Sequence, residues 1–157
     1  MRVFLIAVLA IAFGASPTIA APVGMVGGAS VGAFSDPQPT LNHPRKIVLS
    51  LSERDPERVN EVIGNVGNIQ RYYGADNATI ALIVFGPGVH ALLAGESTVK
   101  PRIAGLIAIG IQIFACQATL DSLHKTKADL LPGVGIVPNG IPAIVEREVA
   151  GWTYVKP

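Results

Sequence analysis

Short apolar runs recur along the chain and are separated by segments with a helical repeat of apolar positions. The runs cover residues 47–51, 78–85, 111–115, 134–137 and 152–155. In most of them apolar and polar residues do not alternate, which is typical of strands that are covered on both faces of a parallel sheet. The pattern therefore predicts five β-strands.

The segment after the first predicted strand has the pattern of an amphipathic helix. Asp55 is a favourable N-cap, Pro56 suits the first helical position, and Gly74 is a stop signal. Between them, apolar residues recur at three- and four-residue spacing, namely Val59, Val62, Ile63, Val66, Ile69 and Tyr73. This face is expected to pack on the sheet.

Helices are also predicted between the later strands. A short helix is expected over residues 89–94, and Thr98 is expected to cap the helix that follows it. Further helices are predicted over residues 117–125 and 141–150, the second of them capped by Asn139. Strands that alternate with helices predict an α/β fold with a parallel sheet between helices. These patterns do not specify the order of the strands.

The first residues have the pattern of an export signal. Arg2 precedes an uncharged apolar run over residues 3–13, and small residues then suit a cleavage site after Ala20. The run is about half the roughly 20 residues of a membrane-spanning helix, so a cleavable signal peptide over residues 1–20 is favoured over an anchor. A periplasmic or secreted protein is therefore expected.

The segment after the predicted signal has no helical or strand period. Residues 21–44 are rich in Gly, Pro, Ala and Ser, a composition that buries too little apolar surface to fold by itself. We predict a flexible lead there and a single folded domain over residues 45–157.

Charge and cysteine content narrow the classes of function. The 157-residue chain has a net charge of +1 and only 15% charged residues, without a basic stripe, so nucleic-acid binding is not indicated. Cys116 is the single cysteine, and in an oxidising compartment it has no partner within the chain. It must stay free, pair with another molecule or carry a group.

In an open parallel sheet, ligands bind where the carboxyl ends of the strands meet. Cys116 is the one reactive side chain that the sequence places at such an end. The candidate pocket residues around it are Ser52, Gly86, Gly88, His90, Gln117 and Asn139. The spacing of glycines, histidines and cysteine predicts no metal site, no phosphate-binding loop and no dinucleotide-binding motif, and no cofactor is expected.

Two interpretations of Cys116 remain open at this point. A helix is expected directly after it, and amides at a helix start favour the thiolate, which is the nucleophile in sulfur transfer. His90 is then the candidate base or hydrogen-bond partner. Free cysteine is equally common as a small, inert, buried hydrophobic residue.

Four segments carry a resemblance to a known family. Residues 116–120, 129–134, 137–140 and 151–157 resemble the DsrE/DsrF-like proteins, and the similarity extends over nearly all of the predicted domain. With its signal peptide, the chain resembles the exported branch. The resemblance implies a three-layer α/β/α sandwich with a five-stranded parallel sheet, assembly into trimers or hexamers, and a sulfur-carrying cysteine at the position of Cys116.

The leading hypothesis is a periplasmic sulfur-carrier or thiol-exchange protein that holds sulfane sulfur as a persulfide on Cys116 and passes it to a partner thiol. The second is a non-catalytic, oligomeric binding or scaffold module in which Cys116 is buried and inert. A third is a redox sensor in which Cys116 pairs between molecules.

Overall fold

The computed structural model describes residues 34–157. The predicted signal peptide and residues 21–33 of the predicted lead lie outside the described residues. The strands are β1 (Arg45–Leu51), β2 (Ala78–Val84), β3 (Gln112–Cys116), β4 (Gly135–Val137) and β5 (Thr153–Val155). The α-helices are α1 (Pro56–Tyr73), α2 (Lys100–Ala108), α3 (Gln117–Ser122) and α4 (Gly140–Val149), and 3₁₀ helices cover Gly86–Leu92 and Lys127–Asp129. Within the described part, no helix has the length and apolar character needed to cross a membrane.

The five strands form one sheet in the order β4-β3-β2-β1-β5, and every neighbouring pair is parallel. The predicted α/β class and five-stranded parallel sheet are confirmed. Six of the seven residues of the central strand β2 are buried. Burial on both sides explains why its sequence is apolar without alternation.

Helices cover both faces of the sheet, but unequally. On one face, α1, α2 and α3 contribute Val62, Ile103 and Leu120 to the larger apolar cluster. On the other face, α4 alone contributes Ile144 to a smaller cluster that includes Val48 and Ile83. The result is the expected three-layer sandwich, with three helices against one.

The ends of α1 follow the sequence signals. The Asp55 carboxylate accepts a hydrogen bond from the Arg58 amide at 2.9 Å, as expected of an N-cap. Gly74 ends the helix with a φ of 79°, a left-handed conformation that glycine adopts without strain. The predicted cap and stop are both confirmed.

Two predicted caps are wrong in their chemistry. Thr98 does not cap α2, because the chain reaches helical geometry only after Val99, whose amide is held by the Ser97 hydroxyl at 3.3 Å. Asn139 does occupy the N-cap position of α4, yet its side chain makes no capping hydrogen bond. The sequence signals placed the starts of both helices approximately, but they did not show which side chains bind the first helical amides.

Two predicted helices differ in extent. The segment predicted as a helix over residues 89–94 is instead the 3₁₀ helix Gly86–Leu92, which begins earlier with Pro87 in its first turn. The helix predicted over residues 117–125 ends at Ser122, because His124 adopts a left-handed φ of 52° and turns the chain away.

The described part of the predicted lead lies against the domain. The Phe34 ring stacks on Tyr73 at 5.3 Å between centroids and meets Tyr72 edge-on at 5.6 Å. The Ser35 carbonyl accepts a hydrogen bond from the Arg45 guanidinium at 2.6 Å. The flexible character of the lead and its boundary at residue 45 stay predictions.

Candidate functional site

An open cleft of about 720 Å³ lies at the carboxyl edge of the sheet. Its walls come from the loop after β1, the 3₁₀ helix after β2, and α3 after β3. The lining residues are Arg54, Gly86, Pro87, His90, Ala118, Thr119, Ser122 and Leu123. All of them follow strand ends, where parallel sheets place their ligand sites.

Two glycines allow the cleft walls to approach each other. The Gly86 amide donates to the Thr119 hydroxyl oxygen at 3.0 Å and ties the 3₁₀ helix to α3. The Gly88 amide donates to the Ser52 carbonyl at 3.1 Å. A Cβ at Gly88 would lie 2.6 Å from the Leu51 carbonyl oxygen, so only glycine fits this close approach of two backbones.

A single carboxylate links three basic side chains at the cleft. Glu96 Oε2 lies 2.6 Å from His90 Nδ1 and 3.6 Å from Arg54 Nη2, and its Oε1 lies 3.9 Å from Lys125 Nζ. The hydrogen bond with His90 is the main cause that lowers the pKa of Glu96, and the charges of Lys125 and Arg54 add to it. Glu96 is therefore held as an anion among cationic groups.

Cys116 ends β3 and occupies the N-cap position of α3. It pairs in register with Val137, which belongs to the apolar cluster on the α4 face. Because side chains alternate along a strand, Cys116 shares the face of Phe114, whereas Ala115 packs in the cluster on the opposite face. Cys116 is only 5% exposed and is not part of the cleft wall.

The other predicted site residues fall into two groups. Gly86 and His90 line the cleft, while Ser52 and Gly88 support it through the backbone. Gln117 lies outside the wall, with its amide donating to Asp121 at 2.7 Å. Asn139 also lies outside it, at the start of α4.

Solved structures resemble this fold over most of their length. MTH1491 from Methanobacterium thermoautotrophicum, a protein of unknown function, is 30% identical with a TM-score of 0.68, and the match covers 72% of this chain and 99% of that one. This chain belongs to the DsrE/YchN-like family. No family model and no curated protein matches its sequence.

Two more distant structures share the DsrE/YchN-like fold. The YchN protein from E. coli is 12% identical with a TM-score of 0.61, and the match covers 73% of this chain and 99% of that one. BT1422 from Bacteroides thetaiotaomicron, a conserved protein of unknown function, is 20% identical with a TM-score of 0.57, over 71% of this chain and 94% of that one. These matches confirm the family resemblance that the sequence indicated. Membership of an exported branch of that family stays a prediction.

Several residues of the cleft in this DsrE/YchN-like domain were missed by the sequence analysis. Thr119 and Ser122 are spaced by three residues on α3 and face the cleft together, a signal that helical periodicity could have supplied. Glu96 and Lys125 lie in separate loops and meet only in the folded chain. Among residues 34–157, no group of three His, Cys, Asp or Glu side chains is arranged to hold a metal ion.

Proposed function

We propose that this DsrE/YchN-like protein is a periplasmic sulfur-carrier or thiol-exchange protein that holds sulfane sulfur as a persulfide on Cys116. The supporting observation is the position of the only cysteine of the chain. Cys116 ends β3 at the carboxyl edge of the sheet, and Ala118, two residues later, lies in the cleft wall. A small donor that reaches this edge of the sheet would thus approach the bend that carries the sulfur.

The transfer needs only two thiol–persulfide exchange reactions. The Cys116 thiolate attacks the terminal sulfur of a donor persulfide, R–S–S⁻, so that a new sulfur–sulfur bond forms, the bond within the donor breaks, and R–S⁻ leaves with the electron pair. An acceptor thiolate then takes the terminal sulfur in the same way and returns Cys116 to the thiolate. No cofactor is required.

The burial of Cys116 sets a condition on this function. With 5% of its surface exposed on the face that α4 covers, Cys116 reacts only when the segments packed over it open locally. α3 begins directly after Cys116 and has only six residues, and its Ala118 amide donates a backbone hydrogen bond to the carbonyl of Pro138, the residue after β4, at 3.2 Å.

Mass spectrometry of the native protein after exposure to polysulfide tests the proposal. We expect addition of a single sulfur atom to the wild type and none to Cys116→Ser, with reversal by a thiol reductant. An unmodified Cys116, under conditions that label a known persulfide-forming protein, would refute the sulfur-carrier function.

The second candidate is an oligomeric binding or scaffold module with an inert thiol, which the burial of Cys116 favours. An apolar stripe on the outer side of α4 also favours it: Ile141, Val145 and Val149 are 63%, 48% and 80% exposed. Their four-residue spacing places them on one helix face. A homo-oligomer, such as a trimer or hexamer, would bury this stripe.

Sedimentation velocity tests this assembly with two variants of α4. Val145→Glu should lower the oligomer to a smaller species, because a charge would be buried in the contact. Glu146→Lys, which also changes charge on α4 but lies about 100° around the helix from Val145, serves as the control. If Val145→Glu leaves the sedimentation coefficient unchanged, the stripe is not the subunit contact.

Export is the remaining part of the proposal, and it rests on the apolar run over residues 3–13 and the small residues before Ala21. Amino-terminal sequencing of the protein from the periplasmic fraction should find Ala21 as the first residue. A protein retained with an intact amino terminus would contradict export.

A further inference from the structure

We propose that the cleft at the carboxyl edge of the sheet binds a small tetrahedral oxyanion of sulfur or phosphorus, which displaces Glu96 from Arg54 and Lys125. This binding site is separate from the chemistry of Cys116, since neither the residues nor the face of the sheet is shared. The inference goes beyond the proposed function and does not depend on it.

The first step of the argument concerns the basic side chains. Arg54 and Lys125 lie 3.6 and 3.9 Å from Glu96, beyond the 2.7–3.2 Å of an N–H···O hydrogen bond, so their donors are only loosely engaged. Within residues 34–157, neither side chain makes a hydrogen bond to another group. Exposed ion pairs of this kind contribute little free energy, and a ligand can replace the carboxylate at low cost.

The second step concerns geometry. The planar guanidinium of Arg54 presents paired N–H groups that match two oxygens of an oxyanion. Its side chain is 64% exposed and forms part of the cleft wall, so it is free to turn towards a ligand. Lys125 adds a second positive charge beside the same carboxylate.

The third step concerns the opposite wall. The Thr119 hydroxyl oxygen accepts from the Gly86 amide, which leaves the hydroxyl hydrogen available to donate to a ligand. The Ser122 hydroxyl donates to the Ala118 carbonyl at 2.9 Å, so its hydrogen is already engaged. The cleft thus combines a guanidinium on one side with a hydroxyl donor on the other.

Glu96 occupies the place of an anion in the unliganded protein. Its carboxylate is surrounded by His90, Arg54 and Lys125; the hydrogen bond with His90 is the main cause that lowers its pKa, and the charges of Lys125 and Arg54, which would hold the oxyanion, add to it. Removing this internal competitor should therefore strengthen binding of an external anion.

Amide NMR titration with sodium thiosulfate, sodium phosphate and sodium chloride at constant ionic strength tests the site. We expect saturable shifts at Gly86 and Thr119 with at least one oxyanion and none with chloride. Tighter binding of thiosulfate or of phosphate shows whether the site prefers an oxyanion of sulfur or of phosphorus, and either result supports the site. Absence of saturable shifts with both oxyanions overturns it.

Variants make the test specific. Arg54→Gln should weaken binding about tenfold, as expected for the loss of a charge-assisted hydrogen bond. Arg71→Gln, on α1 and bonded to Asn68, is the matched control and should bind as the wild type. Glu96→Gln should bind more tightly, a gain that misfolding cannot produce. Equal affinity of Arg54→Gln and Arg71→Gln would overturn the proposal.

Cys116→Ser separates this inference from the proposed function. The variant should bind the oxyanion with unchanged affinity, although it cannot form a persulfide. Loss of oxyanion binding in Cys116→Ser would contradict a site independent of the thiol, whereas failure of polysulfide to modify wild-type Cys116 would leave the site untouched.

Discussion

Replacement of Gly88 by alanine tests whether the cleft depends on close backbone approach. The added Cβ would lie 2.6 Å from the Leu51 carbonyl oxygen and 3.0 Å from its carbonyl carbon, and neither atom can move without shifting β1. Overpacking of this kind costs about 1–3 kcal/mol. Because Gly88 does not have a positive φ, alanine also restricts the unfolded chain, which offsets about 0.4–1 kcal/mol of that cost. We expect a net destabilisation of about 1–2 kcal/mol.

Thermal unfolding followed by circular dichroism measures this effect. For a domain of this size, about 1 kcal/mol corresponds to about 4 °C, so Gly88→Ala should lower the Tm by about 4–8 °C. Gly95→Ala is the matched control, since its Cβ would meet nothing within 4 Å. Equal Tm values for the two variants would refute the argument that the 3₁₀ helix requires glycine at this position.

Three further predictions concern the core, a cap and a carboxylate. Leu82→Ala, in the fully buried centre of β2, should lower the free energy of unfolding in urea by about 2–5 kcal/mol, whereas Ile109→Ala, at an exposed position after α2, should change it by less than about 0.5 kcal/mol. Asp55→Ala should cost about 0.5–2 kcal/mol in the same assay because α1 loses its N-cap. In an NMR titration Glu96 should ionise below its usual pKa of 4.5, so its contribution to stability is present above pH 4.5 and is lost as the pH falls through the lower folded value; His90→Gln should move the midpoint back towards 4.5.

The fold could be predicted from the sequence because its strongest signals are local. The apolar runs located all five strands, and the signals at Asp55 and Gly74 placed the ends of α1 correctly. Strand order could not be predicted, since β1 and β2 are apolar on both faces and either would fit at the centre of the sheet. The predicted cap at Thr98 was wrong because the hydroxyl of the neighbouring Ser97 accepts the hydrogen bond from the Val99 amide instead.

The candidate site was less predictable because its interactions are not local. Gly86 and His90, which the sequence analysis expected near the end of the second strand, line the cleft, and their role in a site stays a prediction. It could not show that Glu96, six residues after His90, also lies beside Arg54 and Lys125, since those two residues come from other loops of the chain.

The sequence also could not show on which face of the sheet Cys116 lies. One residue of register decides whether a side chain at the end of β3 points to one helical layer or to the other. Cys116 is thus at the predicted position in the chain, but on the face that α4 covers.

The start of α3 connects the buried thiol with the cleft, although the two do not share a face. Cys116 is the N-cap residue of this helix, and Thr119, one turn later, is bonded to Gly86 across the cleft. An opening around Cys116 that displaces the start of α3 would therefore disturb the hydrogen bond between Gly86 and Thr119. A ligand that holds Thr119 in place would oppose an opening of this kind by mass action, so the proposed cleft site and the buried thiol are coupled through one short helix although they share no residue.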